Sequence, residues 1–314
     1  MKVLDREFIE KIYKMKDALH VVEASFKEFA QGKAIMPPKQ YLDLPQFNGD
    51  FRAMPAYVPS MNIAGIKWVN SHGNNPKNGI ETVMATIIVN KPETGEPLAV
   101  LDGTYITAVR TGAAGGVATK YLAKKDAKVA AFIGAGAQAY YQCEAICLVR
   151  DIEEVRIVDL NPNTVKSFLD SISIFYKGKI IVSNSIEDCV NEADIITLTT
   201  PSRSPLLKSE WVSAGTHINA IGADAEGKQE CDPQVLKTAR VFIDDWPQAS
   251  HSGEINVPLA KGKCKKEDVK GSIGEIVAGT VAGRQNDLDI TLFDSTGLAI
   301  QDIASAGAVL QRIG

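Results

Sequence analysis

The stretch Lys128-Val129-Ala130-Ala131-Phe132-Ile133-Gly134-Ala135-Gly136-Ala137-Gln138-Ala139 decides the fold. Residues 129–133 are apolar without interruption, as in a strand covered on both faces, and they run straight into Gly-x-Gly-x-x-Ala. In such a turn the first glycine permits the tight bend and the second lets the backbone approach a pyrophosphate. The small third residue, here alanine, lets helix and strand pack closely. The following helix offers its first amides and the positive end of its dipole to the phosphates. Gly134, Gly136, Ala137 and Gln138 are therefore the candidate phosphate contacts of a dinucleotide.

Working outward, the next strand-like run, Val155-Arg156-Ile157-Val158, ends at Asp159, which lies 20 residues beyond Ala139. An acid at that distance accepts hydrogen bonds from the adenosine ribose and repels a 2′-phosphate. Leu160-Asn161-Pro162-Asn163 supplies no arginine to compensate. This implies NAD rather than NADP, with Asp159, Leu160 and Asn161 around the ribose. Asn161 and Pro162 also suit the start of the next helix, whatever the ligand. Ligands of open α/β sheets sit outside the carboxyl ends of the strands. Thr200-Pro201-Ser202 is accordingly expected at the ribose and Ile221-Gly222-Ala223-Asp224 beside the nicotinamide.

Further apolar runs at 179–182, 194–199, 217–221 and 241–244 alternate with helical segments. That alternation predicts an α/β, doubly wound parallel sheet, a Rossmann domain. The earlier part of the chain reads differently. A helix over 16–31, with Ala18, Val22, Phe26 and Phe29 at helical spacing, precedes strand-like runs at 39–44, 51–57, 63–70, 81–89 and 97–102, which predicts an α+β domain. Residues 104–124 are helical in pattern, yet Gly112, Gly115 and Gly116 interrupt them. Each glycine costs about 1 kcal/mol against alanine, so a break or a close backbone approach is expected, and the domain boundary is placed at 115/116.

Composition narrows the functional classes. With 45% hydrophobic and 23% charged residues, and no apolar stretch near the roughly 20 residues that span a bilayer, a membrane protein is not expected. The charged opening, Met1-Lys2-Val3-Leu4-Asp5-Arg6-Glu7, reads as cytoplasmic rather than as a secretory signal. A net charge of −4, from 34 basic and 38 acidic residues, and the lack of a dense basic block argue against nucleic acid. Cys143, Cys147, Cys189, Cys231 and Cys264 form no Cys-x-x-Cys, and neither they nor His20, His72, His217 and His251 have metal-ligand spacing. No metal is implied. His217 starts an apolar strand and is expected to pack.

Three cations, Arg52, Lys67 and Arg110, sit in surroundings too apolar for ordinary surface residues. Lys67 alternates with Ile66 and Trp68 and faces away from both in a regular strand. The segments carrying two of them, Gly65-Ile66-Lys67-Trp68-Val69-Asn70 and Val109-Arg110-Thr111-Gly112-Ala113-Ala114, recur in order with the Gly134 turn, with Ile221-Gly222-Ala223-Asp224-x-x-Gly227-Lys228-x-Glu230 and with Phe293-Asp294-Ser295-Thr296-Gly297. Together they resemble the ornithine cyclodeaminase/mu-crystallin family over essentially the whole chain. Met36-Pro37-Pro38-Lys39, Arg52-Ala53-Met54-Pro55-Ala56, Thr200-Pro201-Ser202-Arg203 and Gly253-Glu254-Ile255-Asn256-Val257 are most similar to its archaeal-type alanine dehydrogenases.

The resemblance implies a homodimer built through a substrate-binding and dimerisation domain over 1–115, to which 298–314 returns, with 116–297 as the NAD-binding domain. It implies Lys67 and Asp224 as a proton-handling pair, Arg52 and Arg110 on the substrate carboxylate, Lys67 also touching substrate, and Arg110, Thr111 and Ser295 as further cofactor contacts. Ornithine-cyclising relatives are expected to carry an acid where Arg52 stands, which turns the reading away from ornithine. The chain stops at Ile313-Gly314, earlier than the family pattern leads one to expect.

The chemistry follows from the residue types. A 2-amino acid that loses hydride becomes an imine, water adds, and ammonia leaves to give a 2-oxo acid. Arginine is the natural carboxylate clamp, and a lysine among arginines is pushed toward the roughly 7 to 8 useful in a general base. L-alanine to pyruvate and ammonia, reversibly, is the leading reaction. Ornithine cyclodeamination to proline, cyclic ketimine reduction, and a crystallin-like protein that binds nucleotide or small ligands without turnover are the alternatives.

Overall fold

The structure is a computed structural model that describes residues 1–314. Along the chain run β1 (Lys2–Leu4), α1 (Arg6–Ile12), α2 (Met15–Ala30), β2 (Gln40–Leu44), β3 (Gly49–Val58), β4 (Ile63–His72), β5 (Val83–Asn90), β6 (Pro97–Asp102) and α3 (Gly103–Leu122). Next come β7 (Val129–Ile133), α4 (Ala137–Val149), β8 (Glu154–Val158), α5 (Pro162–Ile172), β9 (Lys179–Val182), α6 (Ile186–Val190), β10 (Ile195–Leu198), β11 (His217–Ala220) and α7 (Pro233–Thr238). The chain closes with β12 (Arg240–Ile243), α8 (Trp246–Ser252), α9 (Asn256–Ala260), β13 (Val269–Ser272), α10 (Ile273–Ala278), β14 (Thr291–Asp294) and α11 (Ala299–Gln311). They form two compact units, Met1–Arg110 with Leu298–Gly314, and Thr111–Gly297.

The first unit holds a sheet in the order β1-β6-β5-β4-β3-β2, antiparallel except for the β1/β6 pair. Period-2 alternation divides its faces. Arg52, Met54, Ala56 and Val58 of β3 and Lys67 and Val69 of β4 are buried, whereas Trp68 is 43% exposed. Helix α11 packs on the buried face across β3, β4 and β5 and beside α2. Its seat is fixed by Tyr13, whose hydroxyl donates to Ser305 Oγ at 2.9 Å, and by an Arg312–Asp17 ion pair at 2.5 Å.

The second unit is an all-parallel sheet in the order β13-β12-β14-β11-β10-β7-β8-β9. Both faces are covered. Ala131, Ile133, Ile196, Leu198, Ile218 and Leu292 join one apolar cluster, and Ala130, Phe132, Val155, Ile157 and Ile195 join another. The order reverses between β7 and β10, the switch point outside which ligands bind in such sheets. Strand β14, inserted between β11 and β12, was not among the expected runs.

The glycines of α3 do not break it. The helix is continuous over Gly103–Leu122, and the chain passes between units at Arg110/Thr111 rather than at 115/116. Close approach is the physical reason. A Cβ on Gly112 would lie 2.6 Å from the Tyr141 carbonyl oxygen, and one on Gly115 would collide with Gln142 Oε1, so α4 sits against the bare helix backbone. Gln142 Nε2 then donates to the Thr111 carbonyl at 2.9 Å.

Candidate active site

In the second unit β7 delivers the chain into the Gly134 turn. Gly134 has φ +94°, a left-handed conformation that disfavours any residue with a Cβ, and its amide donates to the Val158 carbonyl at 2.9 Å. Gly136 caps α4 without any side-chain bond, so no side-chain acceptor competes with a phosphate for the first-turn amides. Fully buried Ala139 lets α4 close on the sheet. Asp159 stands just past β8, where its carboxylate accepts from Ala135 N and Asn161 N at 2.7 Å each. A carboxylate has about four lone-pair sites, so two such bonds are compatible with ribose hydroxyls as further donors. Asn161 caps α5 by accepting from Asn163 N at 3.0 Å, while Leu160 is fully exposed.

At the strand ends beyond, Ile221 N donates to the Leu198 carbonyl at 3.0 Å and Ser295 N to the Ala220 carbonyl at 3.0 Å. The Ser295 hydroxyl is buried with no protein partner. Asp224, on the loop after β11, takes Lys228 Nζ at 2.5 Å. These features fit a dinucleotide: uncapped helix amides for its phosphates, an acid for its ribose, and an orphaned hydroxyl among the strand-end residues.

In the first unit, register sets Lys67 beside Met54 and Arg52 beside Val69 on the buried face. Lys67 Nζ lies 2.8 Å from Asp302 Oδ2, and Arg110 Nε donates to Asp302 Oδ1 at 2.8 Å. Arg110 Nη1 donates to Gln301 Oε1 at 2.9 Å. Arg52 is gripped through Nε and Nη2 by Asp50, at 2.7 and 3.1 Å, and its guanidinium lies over the Tyr41 ring. Burial, above all, and then the charge of Arg110 pull the Lys67 ammonium down to about 7. Asp302 opposes that shift, and Lys39, another buried cation, adds to it. Four buried cations, Lys39, Arg52, Lys67 and Arg110, thus share the unit with Asp50 and Asp302, a surplus of positive charge suited to an anionic substrate.

Sequence reasoning missed Asp302, Gln301, Asp50 and Lys39. A signal existed for the first two: Gln301-Asp302 is a polar pair one turn into an otherwise apolar helix. Asp50 lies two positions before Arg52 on the same strand face, which period 2 could have suggested. No group of three or more His, Cys, Asp or Glu side chains is arranged to hold a metal ion, and no helix is long and apolar enough to cross a membrane.

A Rossmann unit with a nucleotide-type turn, joined to an α+β unit that buries cations around one lysine, defines a nucleotide-dependent class of protein. The chain belongs to the ornithine cyclodeaminase/mu-crystallin family, whose profile it matches over residues 1–314. It is 51% identical to the alanine dehydrogenase of Archaeoglobus fulgidus over 310 residues, covering 99% of this chain and 94% of that one. A solved archaeal alanine dehydrogenase dimer with bound NAD superposes with a TM-score of 0.94 at 50% identity, covering 99% of this chain and 95% of that one. The Δ1-pyrroline-2-carboxylate reductase of Thermococcus litoralis, solved with NADH and L-proline, superposes at 0.97 with 38% identity, covering 99% and 97%.

Proposed function

We propose that this chain is an NAD-dependent dehydrogenase of a small L-amino acid, with L-alanine, pyruvate and ammonia as the leading reactants. The observation that carries the reading is Lys67: a buried amine, poised at about 7 beside Arg110 and Asp302. NAD, when bound, is the hydride acceptor. It would be held by Gly134, Gly136, Ala137 and Gln138 at the phosphates and by Asp159, Leu160 and Asn161 at the ribose. Thr200, Pro201, Ser202, Ile221, Gly222, Ala223, Asp224, Ser295, Arg110 and Thr111 would complete its contacts.

The remaining work falls to this chain's side chains. Arg52 and Arg110, with guanidinium planes fixed by Asp50 and Asp302, bind the substrate carboxylate. Lys67 Nζ, neutral in a large fraction of molecules near pH 7, takes a proton from the substrate ammonium. Asp224 accepts the proton of the water that adds to the imine carbon, and Lys228 keeps its carboxylate oriented. The exposed face of the first unit's sheet carries Leu42, Trp68, Met84 and Ile88, an apolar surface that a second copy would cover in a homodimer.

The T. litoralis relative supports a second reading, reduction of a cyclic ketimine, which needs the same carboxylate clamp and proton donor. One assay separates the readings. L-alanine with NAD should yield NADH and ammonia together. Ornithine turnover releasing ammonia without net NADH, or NADH oxidation by pyrroline-2-carboxylate without any alanine activity, would replace the leading reaction. NADH binding without turnover across an amino-acid and 2-oxo-acid panel would leave a ligand-binding protein.

A further inference from the structure

The carboxyl ends of β10 and β11 are joined by a side chain that belongs to neither strand. Glu230 is fully buried on the loop before α7. Its Oε1 accepts from Thr200 N and Thr200 Oγ1, both at 2.7 Å, and its Oε2 accepts from Gly222 N at 2.8 Å. Thr200 and Gly222 lie past the last residues of the two strands, where no ladder partner remains for their amides. One carboxylate therefore serves two strand ends.

Glu230 is itself held in place. Its own amide and that of Cys231 donate to Glu254 at 3.0 and 2.7 Å, and the amides of Glu254 and Ile255 donate to Asp294 of β14 at 2.8 and 3.2 Å. Three buried carboxylates, each capping backbone amides of the next segment, run from β14 to the ends of β11 and β10. Such carboxyl groups are expensive to ionise: burial pushes Glu230 up to about 7 and Asp294 up to about 8, and Glu254 also rises well above the carboxylate range. Packing alone would be served as well by apolar side chains.

We propose that Glu230 is a positioning residue for the dinucleotide, fixing residues 200–202 and 222–224 in their ligand-receiving arrangement before the ligand arrives. This rests on the reading that those segments face NAD. With the loops preset, little ordering is left for binding to supply.

The test compares Glu230→Gln with Asp194→Asn. Asp194 also caps backbone amides of this unit, those of Lys128 and Val129 at 2.8 and 3.0 Å, but at the amino ends of the strands. In Glu230→Gln an amide group must face a backbone N–H, leaving a buried donor unmet, so NADH should bind at least ~10-fold more weakly. Asp194→Asn should lower the melting temperature to a similar degree while NADH affinity stays within about threefold. Equal losses of affinity in both variants, or none in Glu230→Gln, overturn the inference. Wild-type protein that binds no NADH overturns the cofactor reading and this inference with it. Should Glu230→Gln fail to fold, amide exchange of the wild type decides. Thr200 and Gly222 should be protected without nucleotide, and protection that appears only with NADH contradicts a preset site.

Discussion

Lys67 Nζ and Asp302 Oδ2 are 2.8 Å apart, both closed off from solvent, and yet the ammonium is held down to about 7. The carboxylate is shared with Arg110, so it cannot fully offset burial and a neighbouring guanidinium. Alanine oxidation should accordingly rise with pH through about 7 and then level off as Lys67 becomes neutral. Asp302 favours the charged form, so Asp302→Asn should move that limb to lower pH while costing ~3–5 kcal/mol of stability through an uncompensated buried arginine. A pH–rate profile with urea denaturation checks both. A limb that moves upward would refute the assigned pairing.

The same shift has a consequence for stability. Between about 7 and the ordinary lysine value near ~10.4, the unfolded chain binds a proton that the folded chain has released. Stability contributed by this site therefore rises with pH across that window, by at most ~1.4 kcal/mol per pH unit, and is flat below it. Comparing wild type with Lys67→Met by urea midpoint at pH 7 and pH 9 isolates the term. The stability of the wild type relative to Lys67→Met should rise at the higher pH.

Asp159 should set nucleotide choice. Its carboxylate lies against the Gly134 turn and the start of α5, where a 2′-phosphate would meet a negative charge. Asp159→Ser should weaken NADH binding by about tenfold or more and narrow the preference over NADPH, measured by fluorescence titration with both nucleotides. An unchanged ratio of the two affinities would remove Asp159 from selection.

Gly112→Ala separates helix propensity from packing. Alanine is the better helix former by about 1 kcal/mol, but the new Cβ would meet the Tyr141 backbone, and overpacking of that kind costs ~1–3 kcal/mol. The thermal midpoint should fall. A rise would mean that α3 and α4 are not in close contact.

Much of the fold was legible because its signals are local. An unbroken apolar run marked β7 and shorter apolar runs marked β8 to β12, alternation marked β3 and β4, and Lys67 stood out against Ile66 and Trp68. Strand β14 was hidden because Thr291 and Asp294 interrupt its apolar pattern over a four-residue strand, although it lies well inside the sheet. Edge strands β1 and β13 were too short to show a period. The glycines of α3 were ambiguous between a kink and a close approach, and only the position of α4 decides. Asp302 was invisible as a partner of Lys67 for a different reason: the contact depends on where α11 packs. His217 shows the converse, since its place in an apolar strand already pointed to packing; the ring is buried, and its bonds to Thr291 and Asn219 are what the structure adds.

Lys67→Ala is the most direct test of the proposed chemistry, because NADH binding and turnover can be read on the same protein. Loss of a general base removes ~10²–10⁴-fold in rate, so kcat with L-alanine and NAD should fall by at least about a hundredfold while NADH affinity is retained. A variant that oxidises alanine at nearly the wild-type rate would contradict the account.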